Sequence, residues 1–382
     1  MEQKLETEKE NQISEKAEEK LTRETVKEMK EIQETIIPTL HLQNNKVSEE
    51  ELFNILRMVA PGTQFRSALD GALKGDRGAI IVLENEHLFP LMDGGFKINC
   101  RFTPQRLVEL CKMDGAIVLS KDGKRISFAN VLLTPDSKIK TFETGTRHKA
   151  AERTAKQTQT LVVAISERKH EISLFYKGMK YHLKGTDEVL RKTNEHLQLL
   201  EKQRELFDKH VESLNKMELR NYPNVKQACH VIQKGRMIQK ISNDVRKNII
   251  ELGVEGTLLK SRLKEISAGV EKETNLVLKD YTHLDVRKSR TLLESLSYDE
   301  ILDHSNILRA LAYESQVEAA QIKGWRIMSK TGLSDDEVFT MVKELGSLGK
   351  ILHSSSREYN TILGEENGIK AKEEVDKLKL HH

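Results

Sequence analysis

Two short segments in the first half of the chain carry residue types that could bind a nucleotide. In Met113-Asp114-Gly115, a carboxylate and a glycine directly precede the apolar run 116–119. In Glu143-Thr-Gly145-Thr146-Arg147-His148-Lys149, a Gly-Thr loop opens a predicted helix whose first turn holds three potential cations. The N–H groups and dipole at a helix start favour an anion, and nearby cations favour it again. The second segment therefore indicates phosphate binding.

Each segment also has a simpler explanation. An Asp-Gly pair is most often only a turn, and a basic first turn can belong to a solvated helix. That second explanation places Arg147, His148 and Lys149 against the helix dipole, which is unfavourable unless a polyphosphate normally sits at that end. We therefore favour phosphate binding for the helix start.

Residues 47–183 alternate short β-branched runs with helical patterns, which predicts an α/β domain with a mixed sheet flanked by helices. The predicted strands are 78–83, 116–119, 126–133, 161–165 and 172–176. The predicted helices are 48–60, 64–74, 104–113 and 148–158. Thr103 and Pro104 favour the start of the third helix, because threonine caps a free N–H and proline has none to satisfy.

Residues 184–317 show almost no strand pattern, which predicts an all-α spacer. Alternating spacings of three and four place one set of residues on a single stripe of a helix. The stripe consists of Leu190, Thr193, Leu197, Leu200, Arg204, Phe207, Val211 and Leu214. Because Thr193 and Arg204 interrupt it, we favour an intramolecular helical bundle over a long free coiled coil.

Residues 318–382 predict a short all-α domain with basic patches. The basic residues include Lys323, Arg326, Lys330, Lys343, Lys350, Arg357, Lys370, Lys372, Lys377 and Lys379. A tight turn around Gly364 and Gly368 would expose N–H groups to a phosphate, with Lys370 and Lys372 just beyond it. The alternative is that these glycines merely cap helices.

Composition sets the remaining limits. Charged residues make up 32% of the 382 residues and hydrophobic ones 37%, which is too polar for one large globule. Residues 1–46 form a predicted charged extension without assigned chemistry; its first 45 residues hold 7 basic and 11 acidic groups. The odd number of cysteines and their spacing argue against a disulfide framework and a zinc site. Without an apolar run long enough for a bilayer or a secretory signal, we expect a soluble cytoplasmic protein with no membrane partner.

The two nucleotide-binding segments resemble the signature motifs of the diadenylate cyclase family. The matching strings are Asp114-Gly-Ala116, Ala129-Asn-Val-Leu-Leu133 with Pro135-Asp136, Gly145-Thr-Arg-His-Lys-Ala-Ala-Glu-Arg153, Ala155-Lys-Gln-Thr158 and Ser166-Glu-Arg168, in order and in register. The spacer and the terminal segment resemble those of the DNA-scanning members of that family, whose last domain is a helix-hairpin-helix domain. The resemblance covers residues 47–382 and implies domains at 47–183, 184–317 and 318–382.

The resemblance implies a nucleotidyltransferase that condenses two ATP into cyclic di-AMP and two pyrophosphates. Asp114 would hold Mg²⁺ or Mn²⁺ and, with Arg147 and His148, form the catalytic set. The implied ATP-binding residues are Gly115, Leu133, Thr146, Arg147, His148, Lys149, Ala150 and Ser166. In this resemblance Leu133 offers an apolar surface to the adenine, while Gly364, Gly368, Lys370 and Lys372 contact DNA.

The resemblance also implies a homo-octamer whose catalytic domains meet face to face, and a terminal domain that senses branched DNA and modulates activity. The chain departs from the family pattern at Lys149, usually arginine, at Ala150, usually threonine, and at the extended stretch between Gly364 and Gly368. These departures support an alternative: a weakly active or inactive DNA-binding scaffold oligomer that retains only nucleotide binding.

Overall fold

The computed structural model describes residues 47–315 and 320–380, so the predicted charged extension, residues 1–46, lies outside the described residues. The chain forms two compact units. We call the first the sheet unit; it comprises residues 47–195 and 245–261. We call the second the helical unit; it comprises residues 196–244, 262–315 and 320–380.

The sheet unit contains an eight-stranded sheet. The strands are β1 (Ala79–Leu83), β2 (Met92–Asp93), β3 (Phe96–Arg101), β4 (Ala116–Leu119), β5 (Arg125–Leu133), β6 (Leu161–Ser166), β7 (Glu171–Tyr176) and β8 (Met179–Leu183). Their order is β2-β5-β4-β1-β6-β7-β8, and β3 pairs with β5 as well. Strands β1 and β4 are parallel and the other pairs are antiparallel. The predicted mixed sheet is thus confirmed.

Helices cover both faces of this sheet. They are α1 (Glu49–Met58), α2 (Gln64–Lys74), α3 (Pro104–Leu110) and α4 (Thr146–Thr158). Leu69 of α2 and Leu107 of α3 belong to one apolar cluster, while Ala151 and Ala155 of α4 belong to another. Alternate residues of β1 enter the two clusters, as the two-residue period of a strand requires.

The sequence predictions missed β2, β3 and β8. Strand β3 has exposed and half-buried residues, and its Asn99 lies in the left-handed region at φ 47°. Strand β8 likewise has a half-buried middle containing Lys180 and His182. These strands therefore lack the continuous apolar run by which the buried strands were predicted.

From residue 184 onward the described chain is helical. The helices are α5 (Thr186–Leu219), α6 (Val225–Leu252), α7 (Thr257–Ser267), α8 (Val270–Tyr281), α9 (Val286–Ser295), α10 (Tyr298–Leu302), α11 (His304–Leu311), α12 (Trp325–Met328), α13 (Asp335–Leu345), α14 (Leu348–His353), α15 (Ser356–Leu363) and α16 (Glu365–Leu380). Among the described residues, no helix has the length and apolar character needed to cross a membrane. The predicted α/β domain followed by all-α segments is confirmed.

The predicted stripe on α5 is largely buried. Leu197, Leu200, Phe207 and Leu214 are each at most 2% exposed. The interruption at Arg204 has a structural reason, because its guanidinium donates to the backbone carbonyls of residues 266 and 268 at 2.8 and 2.6 Å. A cation at those carbonyls satisfies the C-terminal end of α7.

Candidate active site

Several predicted site residues lie along one edge of the sheet. The registers place the starts of β1 and β4 beside the ends of β5 and β6. Asp114 and Gly115 directly precede β4, Leu133 ends β5 and Ser166 ends β6. Residues that are up to 52 positions apart in the sequence are therefore collected at this edge, which we call the site edge.

Gly115 turns the chain into β4 under tight constraints. Its φ is +85°, and an added Cβ would lie 2.8 Å from the carbonyl carbon of Asn130 on β5. Only glycine combines this backbone conformation with so close a strand approach. The turn leaves Asp114 exposed at the site edge, where a ligand can reach its carboxylate.

The start of α4 carries the second predicted segment. Gly145 is the N-cap residue and provides no side-chain cap, and the first turn contains no acidic residue. Thr146 and Arg147 are exposed, while His148 and Lys149 are half-buried. A 13-residue helix that begins in this way presents uncapped N–H groups and positive side chains to the same small volume.

The loop that precedes α4, residues 134–145, is fastened along the helix. Arg153 donates to the carbonyl of Ile139 at 3.0 Å, and Lys156 donates to the carbonyl of Lys140 at 2.9 Å. Thr141 also donates to Glu152. These contacts hold the approach to Gly145, so the exposed first turn is built on an ordered scaffold rather than on a free loop.

The surroundings of His148 favour its neutral form. Its ring packs edge-to-face on Phe175 of β7, with ring centroids 6.3 Å apart. Desolvation by burial lowers the pKa of His148, Glu143 opposes this, and the cations Lys180 and Arg147 lower it further. A neutral imidazole keeps one N–H donor and one acceptor nitrogen for a ligand.

Arg147 lies over the start of β1. An added Cβ on Gly78 would come within 1.9 Å of Nη1 and 2.6 Å of Cζ of Arg147. Gly78 directly precedes β1, so the guanidinium extends from α4 to the site edge. Sequence reasoning placed Gly78 at the start of the predicted strand 78–83 and gave it no role in the site, because no local pattern indicates a contact with a distant side chain.

The remaining predicted residues differ in accessibility. Leu133 is only 9% exposed and belongs to the apolar cluster under α4, whereas its neighbour Leu132 is 60% exposed. Ser166 is half-buried, and its hydroxyl accepts the backbone N–H of Lys169 at 3.2 Å. Ala150 packs against the same cluster as Leu133. Leu133 and Ala150 therefore help to fix the floor of the site.

The site edge suits a metal that arrives with a phosphate ligand. Among residues 47–315 and 320–380, no group of three or more His, Cys, Asp and Glu side chains could hold a metal ion. Magnesium is usually bound by one or two carboxylates together with substrate phosphates. The single exposed carboxylate of Asp114 fits that pattern.

In the helical unit, the predicted glycine turn is shorter than expected. Gly364 ends α15 with φ +85°, but Gly368 lies inside α16 and donates its N–H to the carbonyl of Gly364 at 2.8 Å. An added Cβ on Gly368 would lie 2.4 Å from Oδ1 of Asn360 and 2.6 Å from its Cα. The predicted five-residue turn is thus wrong: Gly368 is a helix-packing residue and its N–H is already used.

The two predicted DNA-contacting lysines of α16 differ from each other. Lys370 is exposed. Lys372 is half-buried, lies 3.3 Å from the carboxylate of Asp376 and lies 5.5 Å from the ring centroid of Tyr359. Positions two apart in a helix point to different sides, so these lysines do not form one patch.

Arg326, predicted to be part of a basic patch, is wholly buried. Its guanidinium donates to Glu218 at 2.5 Å and to Glu273 at 2.8 Å. The carboxylate of Asp280 accepts the backbone N–H groups at the start of α12, at 2.8 to 3.0 Å. The patch prediction is wrong for Arg326, because its charge is compensated inside the helical unit.

Two family models match the chain. The model described as "DisA bacterial checkpoint controller nucleotide-binding" matches residues 66–180, and "DisA bacterial checkpoint controller linker region" matches residues 183–320. The solved structure of a hypothetical membrane-spanning protein from Bacillus cereus shares 22% identity over 44% of this chain and 94% of its own, with a TM-score of 0.31. A TM-score this low does not establish a shared fold.

Curated relatives extend the similarity over most of the chain. The DNA integrity scanning protein DisA of Acetivibrio thermocellus is 37% identical over 329 residues, which cover 84% of this chain and 91% of that protein. DisA of Bacillus cereus is 34% identical over 350 residues, which cover 89% of this chain and 98% of that protein. The sheet unit thus contains a nucleotide-binding domain of the diadenylate cyclase type, and the chain belongs to the family of the DNA integrity scanning protein DisA.

Proposed function

We propose that the protein is an active diadenylate cyclase. It condenses two ATP molecules into cyclic di-AMP: each ribose 3′-hydroxyl attacks the α-phosphate of the other ATP, and two pyrophosphates leave. The observation that supports the proposal is that the uncapped start of α4 extends through the Arg147 guanidinium to Gly78 at the site edge, the same edge at which Asp114 is exposed. Phosphate binding and activation of a hydroxyl require those two kinds of group side by side.

Each residue of the site then has a defined task. Arg147 binds phosphate oxygens through its forked guanidinium, and Thr146 and Lys149 add contacts at the helix start. Neutral His148 donates a hydrogen bond without adding charge. Gly115 lets the backbone approach the nucleotide, and Ser166 borders it.

Asp114 holds Mg²⁺ or Mn²⁺ in this proposal. A bound divalent cation lowers the pKa of the attacking hydroxyl and neutralises charge that develops on the phosphate. The residues of the chain contribute the carboxylate that holds it and the cations that orient the triphosphate. Lys149 keeps a charge at the first turn but lacks the planar fork of arginine, so we expect slower turnover rather than its loss.

Association is part of the proposal. Each site holds one ATP, whereas the product is a symmetric ring, so two sites must face each other in a two-fold arrangement. The family resemblance suggests that these pairs assemble into a homo-octamer. It also suggests that the terminal domain senses branched DNA in the cytoplasm and modulates activity, with Lys370 on the exposed surface of α16 as the better placed contact.

A product assay tests the proposal. The full chain is incubated with ATP and either Mg²⁺ or Mn²⁺, and the products are separated by mass, while ATP binding is measured by calorimetry. We expect one cyclic di-AMP and two pyrophosphates for each pair of ATP molecules consumed. ATP binding without any dinucleotide under either metal would instead support the inactive scaffold alternative, which Lys149 and Ala150 favour.

A further inference from the structure

We infer that Gly78 is a positioning residue for Arg147. Because Gly78 has no side chain, the guanidinium of Arg147 can lie against the backbone at the site edge. The three heavy atoms nearest to an added Cβ all belong to that guanidinium, at 1.9, 2.6 and 3.1 Å. The inference rests on the proposed function, because it assigns Arg147 to the phosphates of ATP.

The strand registers show how close this position of the guanidinium is to Asp114 and Ser166. Strand β1 pairs with β4 through Ile80 and Ala116, and with β6 through Ala79 and Ile165. Continuing both registers one residue before the start of β1 puts Gly78 between the chain segments that carry Asp114 and Ser166. Neighbouring strands lie about 4.8 Å apart. A guanidinium over Gly78 is therefore held within one or two strand spacings of the proposed metal-binding carboxylate.

The backbone at Gly78 does not require glycine. Its φ is not in the left-handed region, in contrast to Gly115, where φ is +85°. The crowding at Gly78 comes from the far end of a flexible side chain and not from backbone. Alanine at position 78 can therefore be accommodated without refolding, and what has to move is the Arg147 guanidinium.

This combination separates positioning from stability. Where a glycine is required by close packing, substitution by alanine should lower the melting temperature of the protein. We expect this for Gly368→Ala, because the added Cβ would clash with the backbone of Asn360. Gly78→Ala should leave the melting temperature unchanged and should act only on the ligand that Arg147 binds. Gly178→Ala is the matched control, because Gly178 lies in the same unit, has no atom within 4 Å of an added Cβ and has no positive φ.

The first experiment measures ATP affinity by calorimetry for five proteins: wild type, Gly78→Ala, Arg147→Ala, the double variant and the control Gly178→Ala. We expect Gly78→Ala to weaken ATP binding by about tenfold, the size of one charge-assisted hydrogen bond. In the Arg147→Ala background the same substitution should have no effect, because its target is gone. Equal losses in both backgrounds, or a loss in Gly178→Ala as well, would overturn the inference.

The second experiment does not depend on nucleotide. Phenylglyoxal modifies exposed guanidinium groups, and peptide mass analysis follows the rate at Arg147 alone. We expect faster modification in Gly78→Ala than in wild type and Gly178→Ala, since displacement from the β1 backbone makes more of the guanidinium of this already exposed side chain accessible. Equal modification rates in the three proteins would contradict the position of the Arg147 guanidinium against Gly78. If the wild type failed to bind ATP, the proposed function would fall, while this rate would still decide the position of Arg147.

Discussion

Arg147 in the sheet unit and Arg326 in the helical unit show two opposite uses of the same side chain. Arg147 is exposed, and among the residues that the structure describes no carboxylate lies within 4.0 Å of its guanidinium. Arg326 is fully buried, with Glu218 at 2.5 Å and Glu273 at 2.8 Å. The sheet unit thus leaves positive charge available at a helix start, whereas the helical unit neutralises it internally.

The difference has an energetic meaning. A buried charge without partners is very unfavourable, so Arg326 requires its two glutamates for the fold itself. An exposed arginine at a helix start is mildly unfavourable, and that cost is removed when a polyanion binds. The contrast predicts that substitutions at Arg326 change stability, whereas substitutions at Arg147 change ligand affinity.

The largest effect is expected for Arg326→Ala. Removing this guanidinium leaves the buried carboxylate of Glu218 without its cation, although Glu273 keeps Lys330 at 3.2 Å. The loss should lower the free energy of unfolding by about 3–5 kcal/mol. Chemical denaturation measures it. The control is Arg262→Ala, whose pair with Glu201 is about 40% exposed on both sides and should contribute at most about 1 kcal/mol. A loss of unfolding free energy no larger than that of Arg262→Ala would show that the buried Arg326 contributes no more to stability than an exposed arginine.

The second largest effect is expected for Arg147→Ala. ATP affinity should fall by about 10- to 100-fold, because a forked contact to phosphate is lost, while the free energy of unfolding changes by less than about 0.5 kcal/mol. Calorimetry and denaturation check the two parts. Arg57→Ala, an exposed arginine on α1, should change neither quantity. A large loss of stability in Arg147→Ala would mean that the two arginines do not differ as described.

In the helical unit the half-buried His230, like Arg326, is expected to affect stability rather than ligand binding. Burial lowers the pKa of His230, the nearby His304, His210, Lys226 and Lys234 add to this, and together they bring it to about 3. The unfolded chain, with an ordinary histidine pKa near 6.5, then binds a proton more readily than the folded chain. Stability contributed by neutral His230 is therefore complete above pH 6.5 and is lost as the pH falls toward 3.

We expect this loss to reach about 2 kcal/mol after screening at the partly exposed ring is allowed for. Denaturation curves between pH 7 and about pH 4 measure it, and His230→Phe keeps a ring while removing the titration. The variant should have a flatter acid limb than the wild type. Parallel curves for the two proteins would show that His230 does not carry this dependence.

The smallest effect is expected on α16. Lys372 is already neutralised by Asp376 at 3.3 Å, whereas Lys370 is exposed. If the terminal segment binds branched DNA, Lys370→Glu should weaken binding by about 1 kcal/mol and reduce the salt dependence by about one unit, with a smaller change for Lys372→Glu. Fluorescence anisotropy over a salt series measures both. Equal effects would indicate that the Asp376 contact does not neutralise Lys372.

The buried strands and the starts of α3 and α4 were predictable because their signals are local. An apolar run predicts a buried strand, and Thr103 with Pro104 begins α3 as expected, with the Thr103 hydroxyl accepting the N–H of Arg106 at 3.3 Å. The segments Asp114-Gly-Ala116 and Gly145-Thr-Arg-His148 are local signals too, and the site residues that they indicate remain predictions. Where in space these strings meet depends on the registers of β1, β4 and β6.

Residues whose role depends on a distant partner were not predictable. Arg326 looked like a surface cation because Glu218 lies 108 positions earlier in the chain. Gly78 was predicted only as the first residue of a strand, because the atoms that need its space belong to Arg147, on a helix that begins 68 positions later. Gly368 looked like part of a turn, although it is required by the close approach of α16 to Asn360. In each case the reason is a tertiary contact.

In our proposal the exposed charges of the site edge serve the condensation of ATP, and the product formed by Asp114→Asn, compared with that of the wild type, shows whether they do. Asparagine keeps the shape of the side chain and removes the charge that holds the metal. We predict cyclic di-AMP by mass from the wild type, and from Asp114→Asn unchanged melting temperature and retained ATP binding without detectable dinucleotide. Dinucleotide formation at the wild-type rate by Asp114→Asn would show that the condensation does not need the carboxylate of Asp114.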